Sequence, residues 1–326
     1  MDKKTNDWCA YETNEFDYPA YRLVMSTMYS TAALLTTVLN FLLLISIWKT
    51  PSLHKPSYIL IGSLALSDLL VGAISAPLMV ILNISALKSW PTTIFCLFLK
   101  CARGVSFALG VVSLFTLTLI SLDRLLAVKL RNRYQSIVTK KRVLLALLIS
   151  WFLWCTLFAI VAGNLDFFNF QNLSPFLLFI GSLVFLLVIT ITISYSMAFD
   201  SLRKITSSSV SPSVQNTEAG ARPSSNIDVA KYRKSLTTMF VVFIFTVLFY
   251  LPLVCTLINN SVIIIRANTF SLQISKKTHN LVYLIATLAE LFTLLNSAVN
   301  PLLYLWRIRD IREAVKTTVK TALKIF

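Results

Sequence analysis

The chain has 326 residues, of which 56% are hydrophobic and only 13% charged, with a formal net charge of +16. Soluble domains carry about 25% charged residues, so this composition excludes an ordinary water-soluble fold. Seven glycines and ten prolines likewise exclude a collagen-like or low-complexity chain.

The first segment, MDKKTNDWCAYETNEFDYPAYR, is too polar for a cleaved signal peptide, so the first apolar block is expected to act as an uncleaved anchor. Seven apolar blocks then follow: Met25–Trp48, Tyr58–Leu82, Leu97–Val128, Val143–Ala162, Pro175–Ala198, Leu236–Leu257 and Leu281–Trp306. Each is near the roughly 20 residues that cross a bilayer core as helix. A helix satisfies its own backbone hydrogen bonds in lipid, whereas a barrel would show strands of about ten residues with alternating polarity. The expected fold class is therefore an all-α membrane protein. It has a polar terminus at 1–24, a seven-transmembrane helix bundle at 25–306 and a third connecting loop at 199–235. Within that loop Ser207–Asp228 is rich in Ser, Pro and small polar residues and reads as disordered. In 307–326, Ile308, Ile311, Val315, Ala322 and Phe326 share one helical face, with Arg and Lys around the other. That pattern predicts an amphipathic C-terminal helix lying on anionic membrane lipids.

Orientation follows from the basic residues. With the N-terminus outside, 21 of the 30 Lys and Arg fall on the cytoplasmic side. The prediction is a multi-pass plasma-membrane protein with an extracellular N-terminus and a cytoplasmic C-terminus. The net charge is then a topology signal, and no nucleic-acid partner is needed. Three sequons, at Asn83, Asn172 and Asn259, fall on the external side and are candidate glycosylation sites.

Polar residues inside spans need a partner or a function. Asp68 lies mid-span in SLALSDLLVG, and Asn40, Ser113, Asn296, Ser297 and Asn300 are its candidate partners. Asn296 and Asn300 are four residues apart and share a helix face. These oxygens suit either a hydrated Na⁺ or a hydrogen-bond network around a protonated Asp68. Asp123 and Arg124 form a charge pair at the end of the third span. Pro252 in FYLPLV and Pro301 in NSAVNPLLYLW each remove a helix hydrogen bond. Kinked helices beside a buried polar cluster suit a bundle with two packings, as a switch requires. A transporter would need a charged or broken path across the membrane, and the mid-membrane charge is one carboxylate. Both histidines, His54 and His279, lie at span ends, so no His-based enzyme site is visible.

Taken together, Asn40, SLALSDLL with Asp68, Trp151, Asp123-Arg124-Leu125 leading into RYQSIVTKKR, Tyr195 and Asn300-Pro301-Leu302-Leu303-Tyr304 resemble the rhodopsin-like G-protein-coupled receptor family from Met25 to Phe326. The resemblance implies that Arg124 engages a heterotrimeric G protein, with Tyr195 and Tyr304 steadying the open state and Pro252 as pivot. It implies that Asp68, Ser113, Asn296, Ser297 and Asn300 form an allosteric Na⁺ pocket. Receptor kinase and arrestin are implied partners, with Ser207–Ser213, Thr317, Thr318 and Thr321 as candidate phosphorylation sites. Four departures stand out: Leu125 for the usual Tyr, Tyr250 for the usual Trp before Pro252, Leu187 for the usual fifth-span Pro, and Tyr232 where an acidic lock for Arg124 often sits. The last points to high basal activity.

The family usually ties the top of the third span to the second outer loop by a disulfide, but that loop, at about Gly163–Ser174, has no cysteine. Cys9 bridged to Cys96, Cys9 bridged to Cys101, and free thiols all stay open, while Cys155 and Cys255 read as buried apolar fillers. The short cysteine-free loop and proline-free fifth span are similar to the melanocortin, adenosine and cannabinoid branch.

For the ligand, exclusions come first. Leu294 stands where an opsin needs its lysine, so no retinal cofactor is expected. Ser106 stands where aminergic receptors place an aspartate. The remaining candidates are Arg103, Ser106, Phe107, Tyr250 and Glu290. Glu290 either receives a cationic ligand group or pairs with Arg103 or His279. The extracellular ligand, peptide or small molecule, is left open; five acids against three basic residues in 1–24 lean towards a cationic peptide.

Overall fold

The computed structural model describes residues 18–163, 170–210, 224–270 and 276–324, all helical apart from short connections. Seven helices are long and apolar enough to cross a membrane: Pro19–Lys49, Pro56–Leu87, Thr92–Leu130, Lys140–Ile160, Pro175–Lys204, Phe240–Ile263 and Asn280–Arg307. We refer to them as the first to seventh spans. Large apolar side chains such as Leu34, Phe41, Leu148, Phe152, Leu186 and Leu248 cover the outside of the bundle. Polar side chains such as Asn40, Asp68, Ser113, Asn296 and Asn300 fill its middle. This inversion of the soluble pattern is what lipid dictates, because polar groups there must be satisfied inside the bundle.

Two glycines let spans approach closely. A Cβ on Gly72 would lie 2.8 Å from Thr37 Oγ1, and one on Gly104 would lie 1.9 Å from Phe158 Cε2. The second span is irregular: Val71–Ser75 forms a π turn between the helices Pro56–Leu70 and Ala76–Leu87. Pro77 explains it, because a proline ring clashes with the carbonyl four residues back. Trp151 of the fourth span donates its indole N–H to Ser63 Oγ of the second at 3.1 Å.

Basic side chains, from Lys49 and Lys55 through Arg124 and Arg142 to Arg307, gather at one end of the bundle, called here the basic end. There Arg309–Leu323 forms a separate helix whose Ile311 and Ala314 are buried against the bundle. Tyr58 Oη donates to Asp310 Oδ2 at 2.8 Å and pins this helix to the second span. Ile308 caps the helix instead of joining it, Ala322 is exposed, and Phe326 lies outside the described residues.

Several expected boundaries shift. The first span begins at Pro19, so the polar terminus is shorter than 1–24. The loop expected at 199–235 is largely helix: the fifth-span helix runs Phe170–Val210 and the sixth-span helix Ser224–Phe270. Once a helix is nucleated each further residue adds one hydrogen bond, so a long span extends readily past the membrane boundary. Residues 211–223 lie outside the described residues.

Candidate functional site

The mid-bundle site is built around Asp68, fully buried on the second span. Its Oδ1 accepts hydrogen bonds from Ser113 Oγ at 3.2 Å and Ser297 Oγ at 2.8 Å, and its Oδ2 accepts one from Asn300 Nδ2 at 2.8 Å. One carboxylate thus joins the second, third and seventh spans. Asn40 reaches the same cluster indirectly, donating to Ser297 O at 3.0 Å and Thr36 O at 2.9 Å. Asn296 makes no hydrogen bond to Asp68; its amide oxygen and nitrogen are both buried without a hydrogen-bond partner among the described residues. Asn300 Oδ1, Asn40 Oδ1 and Tyr304 Oη are orphaned in the same way. Buried polar groups are normally satisfied, so this cluster holds spare hydrogen-bonding capacity among the described residues.

Away from the basic end this cluster opens into a cavity between the spans. Its apolar walls include Val71, Met79, Phe107, Ile180, Val184 and Leu253, and Ser113 and Ser297 contribute to its floor. Those two serines therefore line the cavity and hold Asp68 at once. Tyr250, also at the cavity, is buried and donates to Gly110 O at 3.2 Å, tying the sixth span to the third. Arg103 and Glu290 line the cavity too, and Arg103 Nε lies 3.2 Å from Glu290 Oε1. The structure thus realises the Arg103 pairing among the two alternatives for Glu290. Ser106 donates to Ala102 O at 2.7 Å and also meets Ser75 Oγ.

At the basic end, Asp123 is the hub. It is buried, and it accepts from Arg124 Nη2 and Tyr134 Oη, each at 2.5 Å, and from Ser57 Oγ at 2.9 Å. Burial and the Asp123 carboxylate push the Tyr134 phenol up to about 12, so it stays protonated and donating at neutral pH. Tyr195 is buried against Phe243 at 5.6 Å and Phe240 at 6.2 Å between ring centroids, joining the fifth and sixth spans. Pro252 and Pro301 both lie inside continuous helices.

Comparison with known proteins decides the family. Residues 39–304 match the family model described as 7 transmembrane receptor (rhodopsin family). The chain belongs to that receptor family. It is 27% identical over 292 residues to the zebrafish (Danio rerio) sphingosine 1-phosphate receptor 1, covering 84% of this chain and 72% of that receptor. It is 32% identical over 112 residues to the sheep (Ovis aries) adenosine receptor A3, covering 34% of this chain and 33% of that receptor. The rat (Rattus norvegicus) trace amine-associated receptor 7c is 36% identical over 110 residues, covering 34% of this chain and 30% of that receptor. The last two matches span only about a third of the proteins concerned, and the three names point to different ligands.

Within this rhodopsin-family receptor, several sequence expectations need correcting. Asn83 is buried and bonds Met79 O within its helix, and Asn259 is exposed but inside the sixth span. Neither lies in an accessible loop, which a glycan acceptor requires. The Asn172 side chain lies outside the described residues. Cys96 is disulfide-bonded and Cys101 is a free thiol, while Cys9 lies outside the described residues. Cys155 and Cys255 are exposed on the bundle surface, where a weakly polar thiol is tolerated by lipid. Thr317, Thr318 and Thr321 are helical and bond carbonyls one turn back. Sequence reasoning missed Ser57 and Tyr134 as partners of Asp123, and Tyr29, Met79 and Thr293 at the cavity. Pro77 was a visible signal for the second-span irregularity that shapes the cavity wall.

Proposed function

We propose that this receptor binds an extracellular ligand in the cavity and activates heterotrimeric G proteins by opening its basic end to the cytoplasm. The observation that carries this reading is the double use of Ser113 and Ser297, which line the cavity and also hold Asp68. A ligand that moves either hydroxyl perturbs the junction of the second, third and seventh spans. Pro252 and Pro301 let the sixth and seventh helices shift without unfolding, because each already lacks one helix hydrogen bond. At the basic end, the Asp123 hub holds Arg124 in the closed arrangement. Release of Arg124 would expose a guanidinium with five donors to backbone carbonyls of a partner helix. The basic end faces the cytoplasm in this reading, in keeping with the distribution of Lys and Arg. Receptor kinase and arrestin remain proposed partners; among their candidate sites, Thr317, Thr318 and Thr321 lie on an ordered helix.

The Asp68 cluster fits the small cation that the resemblance implies. Hard cations take oxygen ligands, and Asp68, Ser113, Ser297, Asn300 and Asn296 supply carboxylate, hydroxyl and orphaned amide oxygens. These residues would hold Na⁺, which would supply the positive charge that a buried carboxylate lacks. In this reading no retinal is bound, because Leu294, which lines the cavity, has no amine to form a Schiff base.

The test is G-protein dissociation in cultured cells across the Gα classes, comparing wild type with Arg124→Ala. The expected result is a basal or ligand-evoked signal in wild type that the variant loses while keeping its surface expression. Equal signals from both proteins would refute the role given to Arg124.

A further inference from the structure

We infer that the floor of the cavity recognises its ligand through a hydrogen-bond donor, an O–H or N–H on an apolar body, and turns away groups that only accept, such as ketones, ethers and esters. This rests on the reading of the cavity as the ligand site and names the chemistry of that ligand. Ser113 and Ser297 line the cavity, and both give their proton to one oxygen, Asp68 Oδ1, at 3.2 and 2.8 Å. A serine hydroxyl has one proton and two lone pairs. What either side chain has left for a guest is an oxygen that accepts.

The other hydroxyls of the lining residues are committed in the same sense. Tyr250 donates to Gly110 O at 3.2 Å, Thr293 to Ala289 O at 3.0 Å and Tyr29 to Thr287 O at 3.2 Å. Ser106 donates to Ala102 O at 2.7 Å, so in its contact with Ser75 the proton comes from Ser75. Each of these protons already has an acceptor in the protein. The commitments differ in strength. Ser106 and Thr293 bond carbonyls one turn back in their own helices and can turn away at little cost. Ser113 and Ser297 cannot, because turning away strips a hydrogen bond from the fully buried carboxyl group of Asp68.

Discrimination follows from this polarity. A ligand O–H or N–H that reaches the floor bonds a serine oxygen while both serines keep Asp68. A carbonyl or ether oxygen there gives up its water and meets lone pairs only, and a buried acceptor without a donor is unfavourable. The charged residues of the cavity do not set this preference. Arg103 lies on the same helix as Ser113, about 15 Å away along its axis, and Glu290 lies about 10 Å from Ser297 along the seventh span. The walls above the floor, Val71, Phe107 and Leu253 among them, take the body of the ligand through apolar area alone.

The experiment uses the purified full-length receptor in lipid nanodiscs and sodium-free buffer, so that no ion engages the serine oxygens. Three probes share one skeleton: 2-dodecanol donates and accepts, 2-dodecanone only accepts, and 2-methyldodecane does neither. Affinities come from titrated thermal stabilisation. Wild type is expected to bind the alcohol at least about tenfold more tightly than the ketone or the hydrocarbon. Asp68→Asn keeps an oxygen that accepts from both serines, so the preference should persist. Asp68→Ala releases both serine protons to meet a carbonyl, so the ketone should come within about threefold of the alcohol. Ser113→Ala combined with Ser297→Ala removes both accepting oxygens and should abolish the preference by the other route. Comparing probes on one variant cancels any loss of stability, and partition into lipid cannot depend on residue 68. The inference is overturned if the ketone binds wild type as tightly as the alcohol, if Asp68→Asn loses the preference, if Asp68→Ala and the double serine variant both keep it, or if wild type binds no probe. Basal nucleotide exchange on purified G proteins, compared between wild type and Arg124→Ala, tests the receptor reading apart from this result. Exchange that depends on Arg124, without a donor preference, supports coupling and refutes the inference. A donor preference without such exchange supports the inference and refutes coupling.

Discussion

Replacing Asp68 in two ways separates its hydrogen bonding from its charge. In Asp68→Ala, Ser113 and Ser297 lose an acceptor but can fall back on the helix carbonyls four residues earlier, as Ser106 and Thr116 already do. Asn300 Nδ2 loses its charged acceptor as well, and a buried donor left unpaired costs about 1–3 kcal/mol. The space vacated by the carboxyl group adds roughly 1 kcal/mol. The alanine variant should therefore be about 2–4 kcal/mol less stable than wild type, if the two terms add. In Asp68→Asn the retained oxygen still accepts from both serines. The new amide meets Asn300, whose own oxygen is orphaned and can turn to accept from it. All three links survive, and a buried charge disappears, so the change should stay within about 1 kcal/mol. Unfolding of the purified variants, followed by tryptophan fluorescence, measures both. Equal stability of the two variants, or an asparagine variant as weak as the alanine one, would refute the network as described. Asp68→Asn should also abolish any Na⁺ dependence of basal nucleotide exchange, because the amide cannot supply the anionic ligand.

Other consequences follow from single contacts. Tyr250→Phe removes the bond to Gly110 O that ties the sixth span to the third; a loss of about 1 kcal/mol from the closed state should raise basal nucleotide exchange roughly fivefold per surface receptor. Gly104→Ala should destabilise the bundle by about 1–3 kcal/mol, because its Cβ would lie 1.9 Å from Phe158 Cε2, and adding Phe158→Ala should restore much of that in thermal unfolding. Cys96→Ser should lower the unfolding midpoint, a native disulfide being worth about 2–5 kcal/mol in small domains, whereas Cys101→Ser should leave it unchanged.

Much of the site was legible because polar residues in lipid are conspicuous. Asp68 with Ser113, Ser297 and Asn300 stood out against long apolar runs, and the structure brings those four together. Asn296 carries the same signal and sits on the same helix as Asn300, yet its amide meets no hydrogen-bond partner among the described residues. Helical spacing gives the face of a residue and says little about which atoms come within 3 Å. Ser57 and Tyr134 went unnoticed because Ser and Tyr near a span end are ordinary at a membrane boundary, and only the packing of the second span against Tyr134 brings them to Asp123.

The sequence by itself determined the solvent, the number of spans and the basic end, since each follows from local hydropathy or charge. Tertiary structure decided what depends on two spans at once. It paired Glu290 with Arg103, put Cys96 rather than Cys101 in a disulfide, and buried Asn83 where a loop was expected. It also made Ser113 and Ser297 common to the cavity and the Asp68 cluster. Such facts depend on the rotation and depth at which one helix meets another. Those are set by close approaches such as Gly72 on Thr37 and Gly104 on Phe158, which no periodicity in a single span records.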